Sequence, residues 1–184
     1  MKQYILPSLK LTLVMIILCA VLYPMLISGV AKLSPGAGKG ETVEVDGKVV
    51  GYKLIGQSFT ADKYFWGRPS AVNYNAAGSA GSNKAASNPD YIQTVKDRID
   101  SFLIHNPGIK KNEIPAEMVT ASGSGLDPDI SVKSALVQVK RIAATRQLSE
   151  DLLRNLITAN SISSFVAPEK VNVLKLNIAL DKLK

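Results

Sequence analysis

The chain has 184 residues, of which 46% are hydrophobic and 20% are charged, and its formal net charge is +7. Its Lys and Arg residues are scattered among acidic ones with no run of five or more, which argues against a nucleic-acid partner and indicates a solvated surface. Its one cysteine, Cys19, lies in an apolar N-terminal stretch. Disulfides are therefore excluded elsewhere in the chain, and packing or a partner must stabilise it.

Near the N-terminus the run "LTLVMIILCAVLYPMLISGVA", residues 11–31, carries no charge. At about 1.5 Å per residue, this helix would extend roughly 30 Å, the thickness of the hydrocarbon core of a bilayer. A cleaved signal peptide is the alternative, because Gly29-Val30-Ala31 has the small-x-small pattern of a cleavage site. The apolar core of a signal peptide, however, is usually only about 7 to 15 residues long. The sequence favours an uncleaved transmembrane helix.

Basic residues flank the N-terminal side of this run, at Lys2 and Lys10. Because basic flanks tend to stay in the cytoplasm, we expect residues 1–10 to be a short cytoplasmic N-terminus. Residues 32–41 then form a linker, and residues 42–184 form one extracytoplasmic domain.

The domain opens with two Val-rich runs that Asp46-Gly47 separates, a pair typical of the type I′ turn of a β-hairpin. A Gly, Ser, Asn and Ala stretch then follows Tyr64 to Pro69, and long loops of this kind are usually functional or disordered. Phe65, Trp66 and Arg68 open it, and these residue types dominate binding hot spots. Equally, Phe65 and Trp66 could be ordinary core aromatics.

Helix signals come next. Asn88-Pro89 is a cap followed by a first-turn proline, and apolar residues at three- and four-residue steps predict a helix with one buried face: Ile92, Val95, Ile99 and Phe102. The helix should stop before Asn106. His105, the one histidine, is at its end, where we expect a capping or surface residue rather than a metal ligand or a catalytic base.

In the second half of the domain, the sequence predicts a short strand at Met118 to Ala121. It then predicts a helix that Ser131 caps, with an apolar stripe of Val132, Leu136, Val139 and Ile142. A further helix should follow Ser149. Alternating leucines predict a half-buried strand over Val171 to Leu180. The fold class is therefore α+β: one N-terminal transmembrane helix followed by a small mixed domain.

The sequence argues against three kinds of site: a phosphate-binding loop, a calcium-binding loop and a Ser, His and Asp catalytic set. "GAGKGET", residues 36–42, lacks the first glycine and the final Ser or Thr of a phosphate loop. Asp127 and Asp129 lack the glycine and the distal Glu of a calcium loop. A single histidine gives no convincing Ser, His and Asp set, so nothing in the sequence identifies a stand-alone enzyme.

The segment "SGSGLDPDIS" is interpreted instead as a structural helix entry, formed by Gly123, Gly125, Asp127, Pro128 and Ser131. The glycines would permit a turn, Asp127-Pro128 would tighten it, Asp129 would face the helix start, and Ser131 would cap the helix.

Within the apolar run, small residues recur at four-residue steps: Ala20, Pro24 and Ser28. Small residues let helices approach closely in lipid, and a proline frees a carbonyl that needs a neighbour. We predict that this strip packs on a partner helix; a lipid-facing helix with a tolerated proline is the alternative.

Several longer motifs resemble one family: "YFWGRPSA", "YNAAGSAGSN", "SNPDY", "VTASGSGLDPDIS", "QVKRIAATR" and "VNVLKLNIALDKL", together with the Tyr23-Pro24 span. In this order they resemble the C subunit of the bacterial Kdp potassium-transporting ATPase over nearly the whole chain. Lys84 departs from the pattern, where the family more often has Leu.

The resemblance implies a non-catalytic, single-pass subunit of the bacterial cell (inner) membrane in an ATP-driven potassium importer. Its partners would be a channel-like subunit that conducts potassium, a P-type ATPase subunit and membrane lipid. The family is described as a catalytic chaperone that raises the ATP affinity of the pump subunit.

An extracytoplasmic domain cannot touch a nucleotide bound inside the cell, so the resemblance leaves two alternatives. Either the effect is transmitted through the helix, or the domain contacts ATP directly, with Gln138 and Arg141 as its polar groups. We expect no cofactor bound by the chain alone, with ATP reached through the ATPase subunit. Phe65, Trp66, Arg68 and Asn83, with the helix strip, are the predicted partner interface.

Overall fold

The computed structural model describes residues 2–183 and divides into two compact units, Met1–Thr42 and Val43–Lys184. The first unit is helical: α1 is Lys2–Ile16, a π-helical segment is Ile17–Leu22, and α2 is Tyr23–Ala31. Strand β1 (Thr42–Val45) begins at the last residue of the first unit and leads into the second. The second unit also contains strands β2 (Lys48–Tyr52), β3 (Asp129–Ser131), β4 (Ser161–Ser164) and β5 (Ala167–Asn172). Its helices are α3 (Pro89–His105), α4 (Val132–Leu136), α5 (Val139–Arg146), α6 (Glu150–Ala159) and α7 (Val173–Asp181). The α+β prediction is confirmed.

The first unit contains one helix, Gln3–Ala31, that is long and apolar enough to cross a membrane. It extends further toward the N-terminus than the predicted residues 11–31. Its π segment puts the Tyr23 N–H on the Leu18 carbonyl, one residue beyond the α-helical partner. This wider turn lies just before Pro24, whose ring would otherwise clash with the carbonyl four residues earlier.

The β1–β2 hairpin turns where the sequence predicts. Asp46 and Gly47 have φ angles of 51° and 73°, the positive pair that a type I′ turn requires. The hairpin forms a two-stranded sheet of its own. The hairpin prediction is confirmed.

Helix α3 begins and ends where the sequence predicts. The Asn88 side chain accepts a hydrogen bond from the Tyr91 N–H at 3.1 Å, and Pro89 occupies the first turn. The predicted buried face is wrong in extent, because in this helix only Phe102 is buried and Ile92 is 40% exposed. The helix therefore lies at the edge of the core.

The second sheet has the order β3-β5-β4 and is antiparallel throughout. Ile130 pairs with Val171, and both side chains are fully buried beneath the helices. The fully buried core also includes Phe65, Ala135, Val139, Ile142, Leu153, Ile157, Leu176 and Leu180. One continuous core thus joins strands β3 and β5, five helices and one aromatic residue of the long loop.

The predicted final strand over Val171 to Leu180 is wrong after Asn172. The Asn172 side chain accepts a hydrogen bond from the Lys175 N–H at 3.1 Å and caps α7. Leu176 and Leu180 lie four residues apart, on one helical face, and both are fully buried. The apolar residues alternate because most sides of α7 are buried, and not because the segment is a strand.

Two other predictions are corrected. The predicted strand at Met118 to Ala121 is a 3₁₀ turn, Ala116–Met118, followed by irregular chain that buries Val119. The single helix predicted after Ser131 is two helices, α4 and α5, because the Gln138 N–H bonds to the Ala135 carbonyl, three residues back, and so interrupts the α-helical pattern.

A buried amide holds the long loop against the core. The Asn177 side chain accepts a hydrogen bond from the Phe65 N–H and donates one to the Phe65 carbonyl, both at 2.9 Å. Phe65 is fully buried, and Asn177 is 2% exposed. This pair replaces the ladder hydrogen bonds that a strand would have given Phe65.

We expect Asn177→Ala to lower the free energy of unfolding by about 3 kcal/mol, because it leaves a buried N–H and a buried carbonyl unpaired. Urea denaturation of the full chain in detergent would measure the change. Asn155→Ala, at an exposed position of α6, is the matched control and should change stability by less than about 0.5 kcal/mol. Equal effects of the two variants would contradict the role assigned to Asn177.

Candidate functional site

Trp66 is held as Phe65 is, by a second buried amide. Gln138 accepts a hydrogen bond from the Trp66 N–H at 2.8 Å and donates one to the Trp66 carbonyl at 3.2 Å. The Arg141 guanidinium lies over the indole ring, 4.3 Å from the ring centre. The amide therefore holds the Trp66 backbone, while the cation and a hydrogen bond from the indole N–H to the Ala61 carbonyl at 3.1 Å hold the ring.

Arg141 is only 4% exposed, yet the chain itself satisfies its N–H groups. They donate to Asn106 Oδ1 at 3.0 Å, Gln138 Oε1 at 2.7 Å and the Tyr64 carbonyl at 3.0 Å, and also to the Asp62 carbonyl. Burial lowers the pKa of Arg141 to about 10, opposed by the nearby Asp62 carboxylate. The side chain remains charged at neutral pH, and acceptors of the same domain bind its guanidinium group.

This network bears on the predicted nucleotide contact. Gln138 is fully buried, and its amide groups bond to Trp66, Arg141 and the Ser134 carbonyl. A nucleotide could reach these side chains only if the network opened. Their role in ATP binding stays a prediction, whereas their structural role is visible in the hydrogen bonds.

A groove of about 530 Å³ lies between α3 and the segment that contains Trp66. Trp66, Phe102 and Met118 give it an apolar lining, and Arg98 and His105 belong to its polar rim. His105 Nδ1 lies 2.8 Å from Asp62 Oδ1, and its ring packs edge-on against Trp66. The histidine therefore hydrogen-bonds to Asp62 from the end of α3, where the sequence predicts a capping or surface residue.

Within the domain, the predicted interface residues do not form one surface. Phe65 is in the core, which is the alternative that the sequence left open. Trp66 and Arg68 line the groove, and Asn83 is exposed on the loop with a φ of 50°. Arg68 Nη1 donates to Asp127 Oδ2 at 3.0 Å, while its buried Nε has no hydrogen-bond partner among the described residues.

The "SGSGLDPDIS" segment is built by internal hydrogen bonds. Gly125 has a φ of 68°, and a Cβ there would lie 2.7 Å from the Ala80 carbonyl oxygen. Asp127 Oδ1 accepts from the Asp129 N–H at 3.1 Å, and Ser131 Oγ accepts from the Ser134 N–H at 3.1 Å. The local geometry is that of a turn followed by a helix cap.

Two details of that segment differ from expectation. Gly123 is not among the glycines with positive φ, and a Cβ there would meet nothing within 4 Å, so the turn does not require glycine at this position. Asp129 does not face the helix start; its carboxylate pairs with Lys170 Nζ at 2.6 Å, which raises the lysine pKa. Pro128 contributes its carbonyl, which accepts from the Val173 N–H at 2.9 Å.

Sequence reasoning missed Glu117, which completes the helix entry from a distant turn. Its Oε1 accepts a hydrogen bond from the Ser131 N–H at 2.9 Å and another from the Ser134 hydroxyl. Burial raises the pKa of Glu117, but the hydrogen bonds from Ser131 and Ser134 outweigh it, so the net shift is downward. No local signal marks this residue, because its partners are distant in sequence.

We expect Glu117→Gln to lower the stability of the full chain at pH 7 by on the order of 1 kcal/mol. Because the folded-state pKa is depressed, the advantage of the wild type is present above the unfolded pKa of about 4.5 and is lost as pH falls through the folded pKa. Urea unfolding between pH 3 and 7 would measure it. Glu44→Gln, at an exposed site in β1, controls for net charge; the same pH profile in both variants would remove the special role of Glu117.

The predicted helix strip lines a shallow depression of about 460 Å³ on the N-terminal helix. Its lining includes the three predicted residues and their neighbours: Ala20, Val21, Pro24, Met25, Ser28, Gly29 and Lys32. The π-helical segment contributes Ala20 and Val21 to this depression, and Pro24 lies in the next turn. A ridge of side chains from another helix could occupy it.

Taken together, these features define a class of protein: one apolar helix of membrane-spanning length and one small α+β domain, in which the buried side chains of Gln138, Arg141 and Asn177 bond to the chain itself. Among the described residues, no group of three or more His, Cys, Asp or Glu side chains could hold a metal ion.

Comparison with known proteins identifies the family. The family model described as "KdpC: K+-transporting ATPase, c chain" matches residues 5–182. Proteins named "Potassium-transporting ATPase KdpC subunit" are similar along nearly their whole length: one from Flavobacterium johnsoniae is 60% identical over 176 residues, 96% of each chain. One from Bacteroides fragilis is 48% identical over 98% of this chain and 97% of its own, and one from Serratia proteamaculans is 44% identical over 99% and 100%. The chain belongs to the KdpC family, and the resemblance found in the sequence is confirmed.

Proposed function

We propose that the chain is a non-catalytic accessory subunit of an ATP-driven potassium-import complex in a bacterial cell membrane. It assembles with a channel-like potassium-conducting subunit and a P-type ATPase subunit and stabilises both. The observation that carries this proposal is the match of residues 5–182 to the KdpC family, on a chain that combines one apolar helix with one small domain. Co-purification of the chain from its native membrane, with the partners identified by mass, tests it directly.

The helix and the domain would give two attachments to the same complex. Linked attachments raise the effective concentration of each other, so loss of either should loosen both. On the domain, Trp66 and Arg68 at the groove and Asn83 on the loop are the proposed contacts; Phe65 would act only by positioning its neighbour Trp66. On the helix, the depression lined by Ala20, Pro24 and Ser28 is the proposed contact.

The proposed effect on ATP affinity is indirect. A subunit that binds two conformations of the pump unequally shifts their populations, and the shift changes the affinity for nucleotide at a distant site. The engagement of Gln138 and Arg141 within the domain supports this route over direct contact with ATP. No bound nucleotide of its own is then needed.

Orientation gives the first test of this proposal. We expect a cysteine introduced as Ser87→Cys in a Cys19→Ala background to react with a membrane-impermeant thiol reagent in intact cells, because Ser87 is exposed and the domain is proposed to lie outside the cytoplasm. Labelling would be followed by a gel shift. The Cys19→Ala chain without the new cysteine is the control. A requirement for cell lysis would place the domain inside and restore direct ATP contact as an explanation.

The helix depression gives the second test. Ala20→Leu combined with Ser28→Leu should fill the depression and reduce co-purification with the partner subunits severalfold, since larger side chains prevent close helix approach. Leu13→Ala, also on the apolar helix but outside the depression, should have little effect. Quantitative mass spectrometry of the purified complex measures both. If both variants reduce co-purification equally, the strip is not the interface.

A further inference from the structure

The turn of the β4–β5 hairpin carries unusually exposed apolar side chains. Phe165 and Val166 form the turn and are 105% and 88% exposed, and Ile162 in β4 is 51% exposed. Together they present on the order of 400 Å² of apolar surface, the size of the largest patch on a typical monomer, and such patches are often functional.

The surroundings of this patch in the sequence are uncharged. Residues 155–168 contain no Asp, Glu, Lys or Arg, although the chain as a whole is 20% charged. A solvated hairpin tip would ordinarily carry charged or turn-forming polar residues. Charge returns only at Glu169 and at Lys170, which lies opposite Ile162 in the hairpin, so the tip itself presents apolar and small polar groups.

Strand β4 is also an edge of the three-stranded sheet. It pairs with β5 on one side, and no further strand follows it in the part of the chain that the structure describes. The opposite edge, β3, is protected, because Glu117 accepts the Ser131 N–H. β4, with the sequence Ser-Ile-Ser-Ser, has neither the charges nor the proline that usually protect an edge, only a register irregularity between Ile162 and Ser164.

We propose that β4 and the Phe165-Val166 turn bind an extended segment of a partner polypeptide, which adds a strand to the sheet along β4 and packs apolar side chains on the turn. Main-chain hydrogen bonds would supply affinity, and contacts with Ile162, Phe165 and Val166 would supply selectivity. A lipid surface fits the turn but not the strand, because hydrocarbon cannot satisfy the N–H and carbonyl groups of an open edge.

The size of the surface limits the kind of partner. About 400 Å² is well below the roughly 800 Å² per partner of a stable free-standing interface, so the site would not hold a second copy of the chain or a freely diffusing protein by itself. It suits a partner that another attachment already keeps close, at high effective concentration. The inference rests on the proposed function in this respect: the partner is another subunit of the same membrane complex.

Photo-crosslinking in the assembled complex tests the proposal. With p-benzoyl-L-phenylalanine in place of Phe165, irradiation should give an adduct to a peptide of another subunit of the complex, identified by mass spectrometry. The same amino acid in place of Leu54, which is 70% exposed elsewhere on the domain, is the control and should not give that adduct. An adduct only to lipid, an adduct only to a second copy of this chain, or no adduct would each overturn the proposal.

Hydrogen exchange tests the strand addition itself. Amides of residues 161–166 should exchange at least tenfold more slowly in the whole complex than in the purified chain in detergent, and Ser163→Lys should abolish that difference, because a charged side chain blocks edge pairing. Ser87→Lys, at an exposed loop position, should leave it unchanged. Unchanged exchange in the wild-type complex would exclude strand addition. Co-purification distinguishes failure of this inference from failure of the proposed function. If the chain co-purifies with the other subunits but residues 161–166 are not protected from exchange, this inference fails while the accessory-subunit proposal stands.

Discussion

The domain depends on two buried side-chain amides that hold a loop as a strand would be held. Asn177 bonds both backbone groups of Phe65, and Gln138 bonds both backbone groups of Trp66. The loop enters the core without joining a sheet, so these amides are what allow its backbone to be buried at that point. Without them Phe65 could not fill the centre of the core.

The same arrangement determines where the positive charge of Arg141 lies. Gln138 orients the Trp66 backbone and also accepts a hydrogen bond from Arg141, which stacks on the indole. A buried cation requires such a complete set of acceptors, because an unpaired one would be strongly destabilising. The cation therefore stabilises the wall of the groove, and the residues left for contact with other molecules are those on the groove rim and on the outer surface.

The two edges of the three-stranded sheet differ in whether other parts of the chain cover their backbone polar groups. Glu117 closes the β3 edge, whereas β4 lies at the opposite edge beside an uncharged apolar turn. On the helical unit, Pro24 and residues of the π-helical segment line a depression among small residues. The chain belongs to a family whose members are named as subunits of a potassium-transporting ATPase, and both features are the surfaces at which we propose contact with other subunits.

The sequence by itself determined the features that depend on neighbouring residues. The apolar helix follows from an uncharged run, the Asp46-Gly47 turn from the positive φ that it requires, and the starts of α3 and α4 from Asn88 and Ser131 as caps. The family could also be identified from motifs in their order along the chain. Each of these signals is complete within a few residues or within a contiguous segment.

Tertiary structure decided the rest, because the partners are far apart in the chain. The final leucine-rich segment alternates like a strand, and only its packing makes it α7, with Leu176 and Leu180 buried together. In the sequence, Gln138 and Arg141 look like polar residues on the exposed side of a helix. In the structure both are buried, and they form hydrogen bonds with residues more than 70 positions earlier. A buried polar side chain is stable only if distant groups complete its hydrogen bonds, and a local pattern carries no information about those groups.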